Sequence, residues 1–310
     1  MRIALIGQQK FGLAALEAFV ARGHTIAGVF CAPDKPGSSP DPVKVGAESR
    51  GLQVHQLASL KSEHAREVLR ALKPDLAVMA YVLQFVPMDF TAIPVHGTIQ
   101  YHPSLLPRYR GPSAINWPII HGDTVTGLTI FRPTDGLDEG PVILQKETAI
   151  GPDDTLGTVY FERLFPMGVA ALVEAADLVA QGLPAEIAQD ESHATYEGWC
   201  RGPESRINWH NHADIIYNLI RGCDPSPGAW TTLNGKKLQL FDARKHPLRR
   251  FSEITAPVGA VSKLGDRSLC VSAHGGQIEV FKVKYGDGDK QRAADFCAEH
   301  SITVGTLLGA

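Results

Sequence analysis

The chain has 310 residues and a formal net charge of -3, with 44% hydrophobic and 20% charged residues. That length suits one large domain or two moderate ones, and the charge excludes a protein that binds polyanions through its overall charge. Five scattered cysteines without a CxxC pair argue against a disulfide framework or a zinc site, and favour free thiols in a reducing compartment. No apolar run approaches the roughly 18 residues of a membrane helix, and the start MRIALIG is typical of a first strand rather than a secretion signal. We therefore expect a cytoplasmic protein with no membrane partner.

The first half of the chain alternates strand and helix patterns. The predicted elements up to residue 81 are the strand RIALIG, the helix FGLAALEAFVARG, the strand TIAGVFC, the helix VKVGAESRG, a helix over 61–72 and the strand DLAVMAY. They are followed by the strand GTIQYH, a helix near SAINWPIIHG, the strands TGLTIFRP and PVILQKETAI, and one long helix over 156–182. This alternation predicts an α/β fold whose sheet carries helices on both faces.

The second half has a different pattern. Residues 184–206 are polar and weakly periodic, which is typical of a linker. A short helix near 212–221 is followed by five predicted strands, namely GAWTTL, KKLQLFDAR, GAVSKL, SLCVSA and QIEVFKVKY. Short strands separated by Gly- or Asp-rich turns predict a small β-barrel of the OB type. The predicted organisation is an α/β domain over 1–183, the linker over 184–206, and an OB-like domain over 207–310.

The first strand-to-helix junction reads IGQQKFG, where a dinucleotide-binding fingerprint G-x-G-x-x-G would lie. Gln9 takes the position of the second glycine, and its side chain would obstruct the close approach of a pyrophosphate. The junction is therefore predicted to be a tight turn. An NAD-linked oxidoreductase stays open as an alternative, but NAD binding is not expected.

A pair of polar side chains ends the strand GTIQYH. Gln100 and His102 are two residues apart, so they share a face of the strand, and they lie at its carboxyl end, where open α/β sheets bind ligands. A lone histidine there would more simply bond a backbone carbonyl. The loop TDGLDEG, however, offers Asp135 and Asp138, and a carboxylate there would orient the imidazole. Turn chemistry alone explains Asp135, which makes Asp138 the better candidate.

Two other groups of residues have the spacing of a functional site but are not predicted to form one, a serine nucleophile pair and a histidine metal pair. Ser104 lies too close to His102 in a tight His-Pro-Ser turn to form a nucleophile and base pair, and no G-x-S-x-G motif is present. His210 and His212 have the spacing of a metal pair, but no third ligand cluster lies nearby, and a solvated helix start explains them. No metal site is predicted.

The motifs QYHPSLLP, over 100–107, and GLDEG, over 136–140, resemble the signature of the formyltransferases that use 10-formyltetrahydrofolate. The likeness runs nearly end to end, through DDTLGTVY, ATYEG, INW and RGCDPSPGAW. It implies a Rossmann-like formyltransferase sheet followed by the small OB-like domain, with 10-formyltetrahydrofolate as formyl donor. Carried over by position, it implies that His102 and Asp138 are catalytic, with Gln100 assisting. The residues implied to bind the substrate are Gln84, Phe85, Val86 and Ser104.

Within the family, LQFVPMDF and FERLFPMGV resemble the hydrolase domain of 10-formyltetrahydrofolate dehydrogenase more than methionyl-tRNA formyltransferase. Gln100 departs from both patterns, because the formyltransferases usually have Asn there and the hydrolase domain has an aliphatic residue. Its amide is one methylene longer than that of Asn, so hydrolysis and transfer both stay open.

The formyl acceptor is open as well. The loop CAPDKPGSSPDPVK carries only Lys35 and Lys44, with Asp34 and Asp41 interspersed, which argues against tRNA because nucleic-acid affinity rests on neutralising phosphates. We expect tetrahydrofolate to be released from 10-formyltetrahydrofolate by hydrolysis or by transfer to a small amine. Methionyl-tRNA formyl transfer and formyl transfer to an amino sugar nucleotide are the alternatives.

Overall fold

Seven strands form one mainly parallel sheet in the computed structural model, which describes residues 1–248 and 256–309 of the chain. The strands are β1 Arg2–Gly7, β2 Thr25–Cys31, β3 Val54–Gln56, β4 Leu76–Ala80, β5 Thr98–His102, β6 Val125–Phe131 and β7 Val142–Ala149. Their spatial order is β3-β2-β1-β4-β5-β6-β7. All pairings from β3 to β5 are parallel, whereas β6 runs antiparallel to β5. The predicted α/β sheet is confirmed, with β3 as an additional short strand.

Helices cover both faces of this sheet. The helices of the chain are α1 Gln9–Ala21, α2 Pro42–Glu48, α3 Glu63–Leu72, α4 Met88–Thr91, α5 Asn116–His121, α6 Leu156–Val159, α7 Phe165–Ala180, α8 Ala213–Gly222 and α9 Ala293–Glu299. Side chains alternate along β1, so Ile3 and Leu5 join a core with α1, α2 and α7, while Ala4 and Ile6 join a second core with α3 and α4. Burial of such side chains, each worth about 1.5–3 kcal/mol, sets the register of the central strand and with it the carboxyl edge of the sheet.

The predicted long helix over 156–182 is helical over 156–180, but a π-helical turn interrupts it. α6 ends at Val159, a π-helical turn spans Tyr160–Leu164, and α7 begins at Phe165. Pro166 lies in the first turn of α7, where its missing N–H is tolerated. The same proline cannot donate to a preceding carbonyl, so the α-helical hydrogen-bond ladder cannot run through it.

The C-terminal part of the chain contains an antiparallel sheet. Its strands are β8 Ala229–Leu233, β9 Lys236–Pro247, β10 Val261–Leu264, β11 Leu269–Ala273, β12 Gly276–Tyr285 and β13 Lys290–Arg292. The order is β10-β11-β12-β9-β8, with β13 paired to β12. The five predicted strands are confirmed, whereas β13 and α9 were not predicted. Closure of the sheet into an OB barrel stays a prediction.

Two compact units divide the chain. The first comprises Met1–Ala114, Gly127–Thr148 and Phe161–Glu197, and the second comprises Ile115–Thr126, Ala149–Tyr160 and Gly198–Ala310. The segment interpreted as a linker therefore belongs, up to Glu197, to the first unit. The domain boundaries at 183 and 207 stay a prediction.

The whole-chain expectations can be compared with the described residues. None of the helices in 1–248 and 256–309 has the length and apolar character needed to cross a membrane. The same residues contain no group of three or more His, Cys, Asp or Glu side chains placed to hold a metal ion. All five cysteines are buried free thiols, as their scattered positions predicted.

Candidate active site

His102 ends β5 at the carboxyl edge of the sheet, and its side chain is only 6% exposed. Its Nε2 lies 2.8 Å from the carbonyl oxygen of Tyr109. A carbonyl oxygen only accepts hydrogen bonds, so Nε2 carries a hydrogen and donates it. The other ring nitrogen, Nδ1, lies 3.6 Å from Oδ2 of Asp138. The imidazole is therefore held from the backbone on one side and faces a carboxylate on the other.

Asp138 comes from the loop between β6 and β7, and its side chain is 10% exposed. Its Oδ2 accepts a hydrogen bond of 2.9 Å from the backbone N–H of Gly111. The backbone of Asp138 has φ of 56°, in the left-handed region that non-glycine residues rarely occupy. This turn aims the carboxylate at His102, and the two motifs predicted to meet are in contact.

The loop between His102 and Gly111 is fastened by buried polar groups. Ser104 is fully buried, and its hydroxyl donates to the carbonyl of Arg108 at 2.7 Å. The hydroxyl of Thr129 on β6 donates to the carbonyl of Ser104 at 2.7 Å and accepts from the N–H of Leu106 at 3.1 Å. Ser104 thus holds the loop in shape, and its contact with a substrate stays a prediction.

Gln100 is half-buried and lies on the same face of β5 as His102. Its backbone pairs with Met79 of β4 and Phe131 of β6. Within 1–248 and 256–309, its side-chain amide makes no hydrogen bond to the protein. The amide is therefore free to meet a ligand beside His102.

The three residues of the LQFVP loop differ in exposure. Gln84 is half-buried, and its Oε1 accepts a hydrogen bond of 3.3 Å from the N–H of Leu60. Phe85 is 48% exposed, with the Lys61 ammonium 4.7 Å from its ring centre. Val86 is 5% exposed and packs in the core beneath α3 and α4. Gln84 and Phe85 are accessible to a ligand, whereas Val86 supports the loop from below.

A cleft of about 670 Å³ opens at the carboxyl ends of β1, β2 and β4. It is lined by the turn over 7–9, by residues 30–35 and by residues 81–84, with Asp41 and Leu60 completing the wall. Leu83 and Gln84 are the residues of the LQFVP loop that line it. This is the edge at which open parallel sheets bind ligands.

Three charged groups at the cleft, Asp34, Asp41 and Lys44, have partners, and Lys35 also lines the wall. The Lys44 ammonium bonds to the carboxylate of Asp34, which holds the pKa of Asp34 below its usual range. The carboxylate of Asp41 accepts the backbone N–H of Gln9 at 2.8 and 3.0 Å. Gln9 has φ of 61° and begins α1, where a dinucleotide pyrophosphate would bind backbone N–H groups. A carboxylate in that place argues against phosphate binding at α1.

Burial also affects Cys31, the last residue of β2 and part of the cleft wall. Desolvation, aided by the negative charges of Asp41 and Asp34, raises the pKa of its thiol to about 11. The thiol is therefore neutral at physiological pH and a poor nucleophile.

Two protein families match the chain, one in each half. The formyl transferase family matches residues 1–176, and the formyl transferase C-terminal domain matches residues 202–301.

The chain belongs to the formyl transferase family.

The relatives of the chain include 10-formyltetrahydrofolate dehydrogenases and a methionyl-tRNA formyltransferase. The chain is 44% identical over 248 residues to the cytosolic 10-formyltetrahydrofolate dehydrogenase of Homo sapiens, a match that spans 78% of this chain but 27% of that protein. The mitochondrial 10-formyltetrahydrofolate dehydrogenase of Homo sapiens is 42% identical over 246 residues, again 78% of this chain and 26% of the relative. The chain thus spans little more than a quarter of the length of these relatives. Methionyl-tRNA formyltransferase of Syntrophus aciditrophicus (strain SB) is 36% identical over 312 residues, covering 99% of this chain and 98% of that protein.

Solved structures share the fold of this formyl transferase at lower identity. HypX from Aquifex aeolicus, solved with tetrahydrofolic acid, superposes with a TM-score of 0.70 at 18% identity over 98% of this chain and 48% of HypX. An N-formyltransferase from Helicobacter canadensis, solved with folinic acid and dTDP-3-aminofucose, superposes with a TM-score of 0.69 at 16% identity over 91% of this chain and 99% of the other. At these identities the likeness establishes the fold.

Sequence reasoning missed the residues of this formyl transferase that surround the His102–Asp138 pair. They are Arg110, Gln189, Glu191, Thr195 and Tyr196. Four of them lie in the segment interpreted as a linker. The only signal was a run of groups that can donate and accept hydrogen bonds, QDESHATY, in which polar residues alone do not reveal a distant partner.

Proposed function

We propose that this chain removes the formyl group from 10-formyltetrahydrofolate and passes it to water or to a small amine, releasing tetrahydrofolate. Membership of the formyl transferase family and relatives named for 10-formyltetrahydrofolate support the donor. The observation that carries the proposal is the His102–Asp138 pair, in which each side chain is held by a backbone group at the ligand-binding edge of the sheet. Preorganised groups of this kind are what a charged transition state requires.

The reaction converts the formyl oxygen into an oxyanion as a nucleophile attacks the formyl carbon. Each donor aimed at that oxygen is worth roughly 3 kcal/mol of transition-state stabilisation. Nε2–H of His102 is used by Tyr109, so the donor available to the oxyanion is Nδ1–H of the imidazolium. The Gln100 amide, on the same face of β5, supplies the second donor.

Asp138 supplies the complementary charge. It stabilises the imidazolium across the 3.6 Å gap and takes a proton from the attacking nucleophile, directly or through a water. The same proton returns to N10 of the folate as the bond between the formyl carbon and N10 breaks, which releases tetrahydrofolate. Oδ2 accepts the N–H of Gly111, whereas Oδ1 makes no hydrogen bond to the described residues. Oδ1 is therefore the oxygen that accepts the proton of the nucleophile. Neither a metal nor NAD is needed for these steps.

The LQFVP loop offers the folate a binding surface, and the residue after it, Met88, bonds through its N–H to Asp135 in the loop that carries Asp138. Phe85 offers an exposed ring to a flat pterin, and Gln84 offers an amide beside it. The buried free thiols suit the cytoplasmic location expected from the sequence.

The charges around the cleft support a small acceptor. Lys44 is paired with Asp34, and Asp41 accepts from the N–H group at the start of α1, so these groups offer phosphates little attraction. Water or an uncharged small amine fits it better than an amino sugar nucleotide. Methionyl-tRNA is the second candidate, because the methionyl-tRNA formyltransferase relative matches this chain over nearly its whole length.

The test follows tetrahydrofolate release from 10-formyltetrahydrofolate by absorbance, first without an acceptor and then with small amines, an amino sugar nucleotide or methionyl-tRNA. Release without an acceptor establishes hydrolysis, and release with only one addition identifies the acceptor. Asp138→Asn serves as the site control. Near wild-type release by that variant would exclude the proposed site.

A further inference from the structure

The segment over 187–197 makes several polar contacts with the turn that carries Asp138. Nε2 of Gln189 donates to the backbone carbonyls of Asp138, at 2.8 Å, and Gly140, at 2.7 Å. One amide therefore holds both ends of the strained turn. The left-handed φ of Asp138 is a conformation that neighbouring structure has to maintain, and these two hydrogen bonds act on it directly.

The same amide is held by a buried cation. Oε1 of Gln189 accepts from Arg110 at 3.2 Å through Nε and at 2.8 Å through Nη2. Arg110 has no exposed surface and pairs with both carboxylate oxygens of Glu191, at 2.9 and 2.7 Å. Bidentate pairing of this kind fixes the orientation of a guanidinium. Gln189 is thus clamped between Arg110 and the Asp138 turn.

A second contact reaches the turn through Tyr196. Its hydroxyl accepts from Nη1 of Arg110 at 2.5 Å and donates to Oε1 of Glu139 at 2.7 Å. The hydrogen bond to Glu139 raises the pKa of Tyr196, so the hydroxyl remains a donor at neutral pH. Arg110 is therefore tied to the turn at Asp138, Glu139 and Gly140.

Arg110 also lies between the two backbone groups of the site. The carbonyl before it, of Tyr109, holds Nε2 of His102, and the N–H after it, of Gly111, holds Oδ2 of Asp138. Its own N–H and carbonyl bond to Thr195 and Glu197, each at 2.9 Å. Arg110 thus connects the Tyr109 carbonyl that binds His102, the Gly111 N–H that binds Asp138, and the segment over 187–197.

We propose that Gln189, clamped by Arg110, is a positioning residue that sets the Asp138 carboxylate against His102. This inference rests on the proposed function, in which Asp138 and His102 act on the formyl group. Gln189 touches no reacting atom in this scheme. Its effect passes through the Asp138 turn, and Tyr196 contributes in the same way with a single hydrogen bond.

Gln189→Glu separates the hydrogen bonds that Gln189 accepts from Arg110 from those that it donates to the Asp138 turn. The new carboxylate keeps the acceptor that bonds Arg110, but it loses both N–H donors to the Asp138 and Gly140 carbonyls. Because Arg110 stays paired, we expect the unfolding temperature to change little. We expect kcat to fall by about 10- to 100-fold, the size that a displacement of about 1 Å at a catalytic group produces. KM for 10-formyltetrahydrofolate should remain within about twofold, because Gln189 does not contact the substrate in this scheme and ground-state binding is kept.

The matched control is Gln239→Glu. Nε2 of Gln239 also donates to a backbone carbonyl, that of Pro227 at 2.8 Å, but in the second unit. This variant should keep the wild-type kcat. Should Gln189→Glu fail to fold, Tyr196→Phe removes the hydroxyl that joins Arg110 to Glu139. It should lower kcat by roughly 3- to 10-fold, the size of the one hydrogen bond lost to the turn.

A measurement without turnover keeps this inference separate from the proposed function. The imidazole ¹⁵N resonances of His102, assigned with His102→Ala, should move in Gln189→Glu and stay in place in Gln239→Glu. Unmoved resonances together with an unchanged kcat would overturn the positioning role. Moved resonances in a protein that releases no tetrahydrofolate would support the positioning role and count against the proposed function alone.

Discussion

Two regions at the same carboxyl edge of the sheet are held in opposite ways. The proposed catalytic corner, made of His102, Tyr109, Gly111 and Asp138, is nearly closed to solvent, and a backbone group fixes each of the His102 and Asp138 side chains. The cleft beside β4 is bordered by exposed side chains, with Leu83 at 55% exposure.

This contrast indicates that the corner and the cleft serve different steps of the reaction. Groups that stabilise a transition state gain from a fixed geometry, because reorganisation during the reaction would cost rate. Groups that receive a flat cofactor or a variable acceptor gain from open, adaptable walls. Substitutions in the corner should therefore change kcat, and substitutions in the cleft should change KM.

The largest expected effect is that of His102→Ala. Removing the imidazole deletes the Nδ1–H donor and leaves the Asp138 carboxylate without its partner. The rate of tetrahydrofolate release should fall by about 10²–10⁴-fold, the range for a general acid or base. Stopped-flow absorbance at saturating 10-formyltetrahydrofolate measures it. A loss below threefold would show that the corner is not the reaction centre.

Gly111→Ala should damage the corner by sterics. Gly111 has φ of 108°, and an added Cβ would lie 2.2 Å from the carbonyl oxygen of Glu197. Thermal and urea unfolding should show a loss of roughly 2–4 kcal/mol, with a fall in kcat because the N–H moves away from Asp138. Gly182→Ala is the matched control, since Gly182 has φ of 69° but open space around it, and should cost only about 1–2 kcal/mol. Equal losses in the two variants would contradict the close contact.

Gln84→Ala tests the cleft side of the comparison. It removes one amide next to the exposed ring of Phe85, and its hydrogen bond to Leu60 is long, so the loop should persist. KM for 10-formyltetrahydrofolate should rise by about 2- to 10-fold while kcat stays within twofold, as expected when ground-state binding is lost. Gln181→Ala, at the exposed end of α7, should change neither constant. A fall in kcat with unchanged KM would remove the distinction between corner and cleft.

The smallest expected effect is the pH dependence of alkylation at Cys31. The pKa of Cys31 is raised to about 11, so at pH 8 only about one thiol in a thousand is ionised. Alkylation of Cys31 by iodoacetamide, followed by peptide mass spectrometry, should accelerate about tenfold per pH unit from pH 8 to pH 10. A plateau near pH 9 would show that the cleft wall is less desolvated than its burial implies.

Much of the fold could be predicted from local patterns. The central strands β1 and β4 are apolar runs that are buried on both faces, and β8 and β12 of the C-terminal sheet alternate as half-buried strands do. Short elements such as β3 and β13 escaped prediction, because three residues carry too little periodicity. The break between α6 and α7 was missed although Pro166 marks it.

The sequence was enough to predict that His102 faces Asp138, because two motifs in strand and loop contexts point to one edge of the sheet. The groups that hold the pair became visible in the folded chain alone. Gln189 lies 51 residues from Asp138 and 79 from Arg110, and no local pattern records a partner at that separation. Spacing along a strand predicts which way a side chain faces, whereas hydrogen bonds between distant loops exist only once the sheet has brought those loops together.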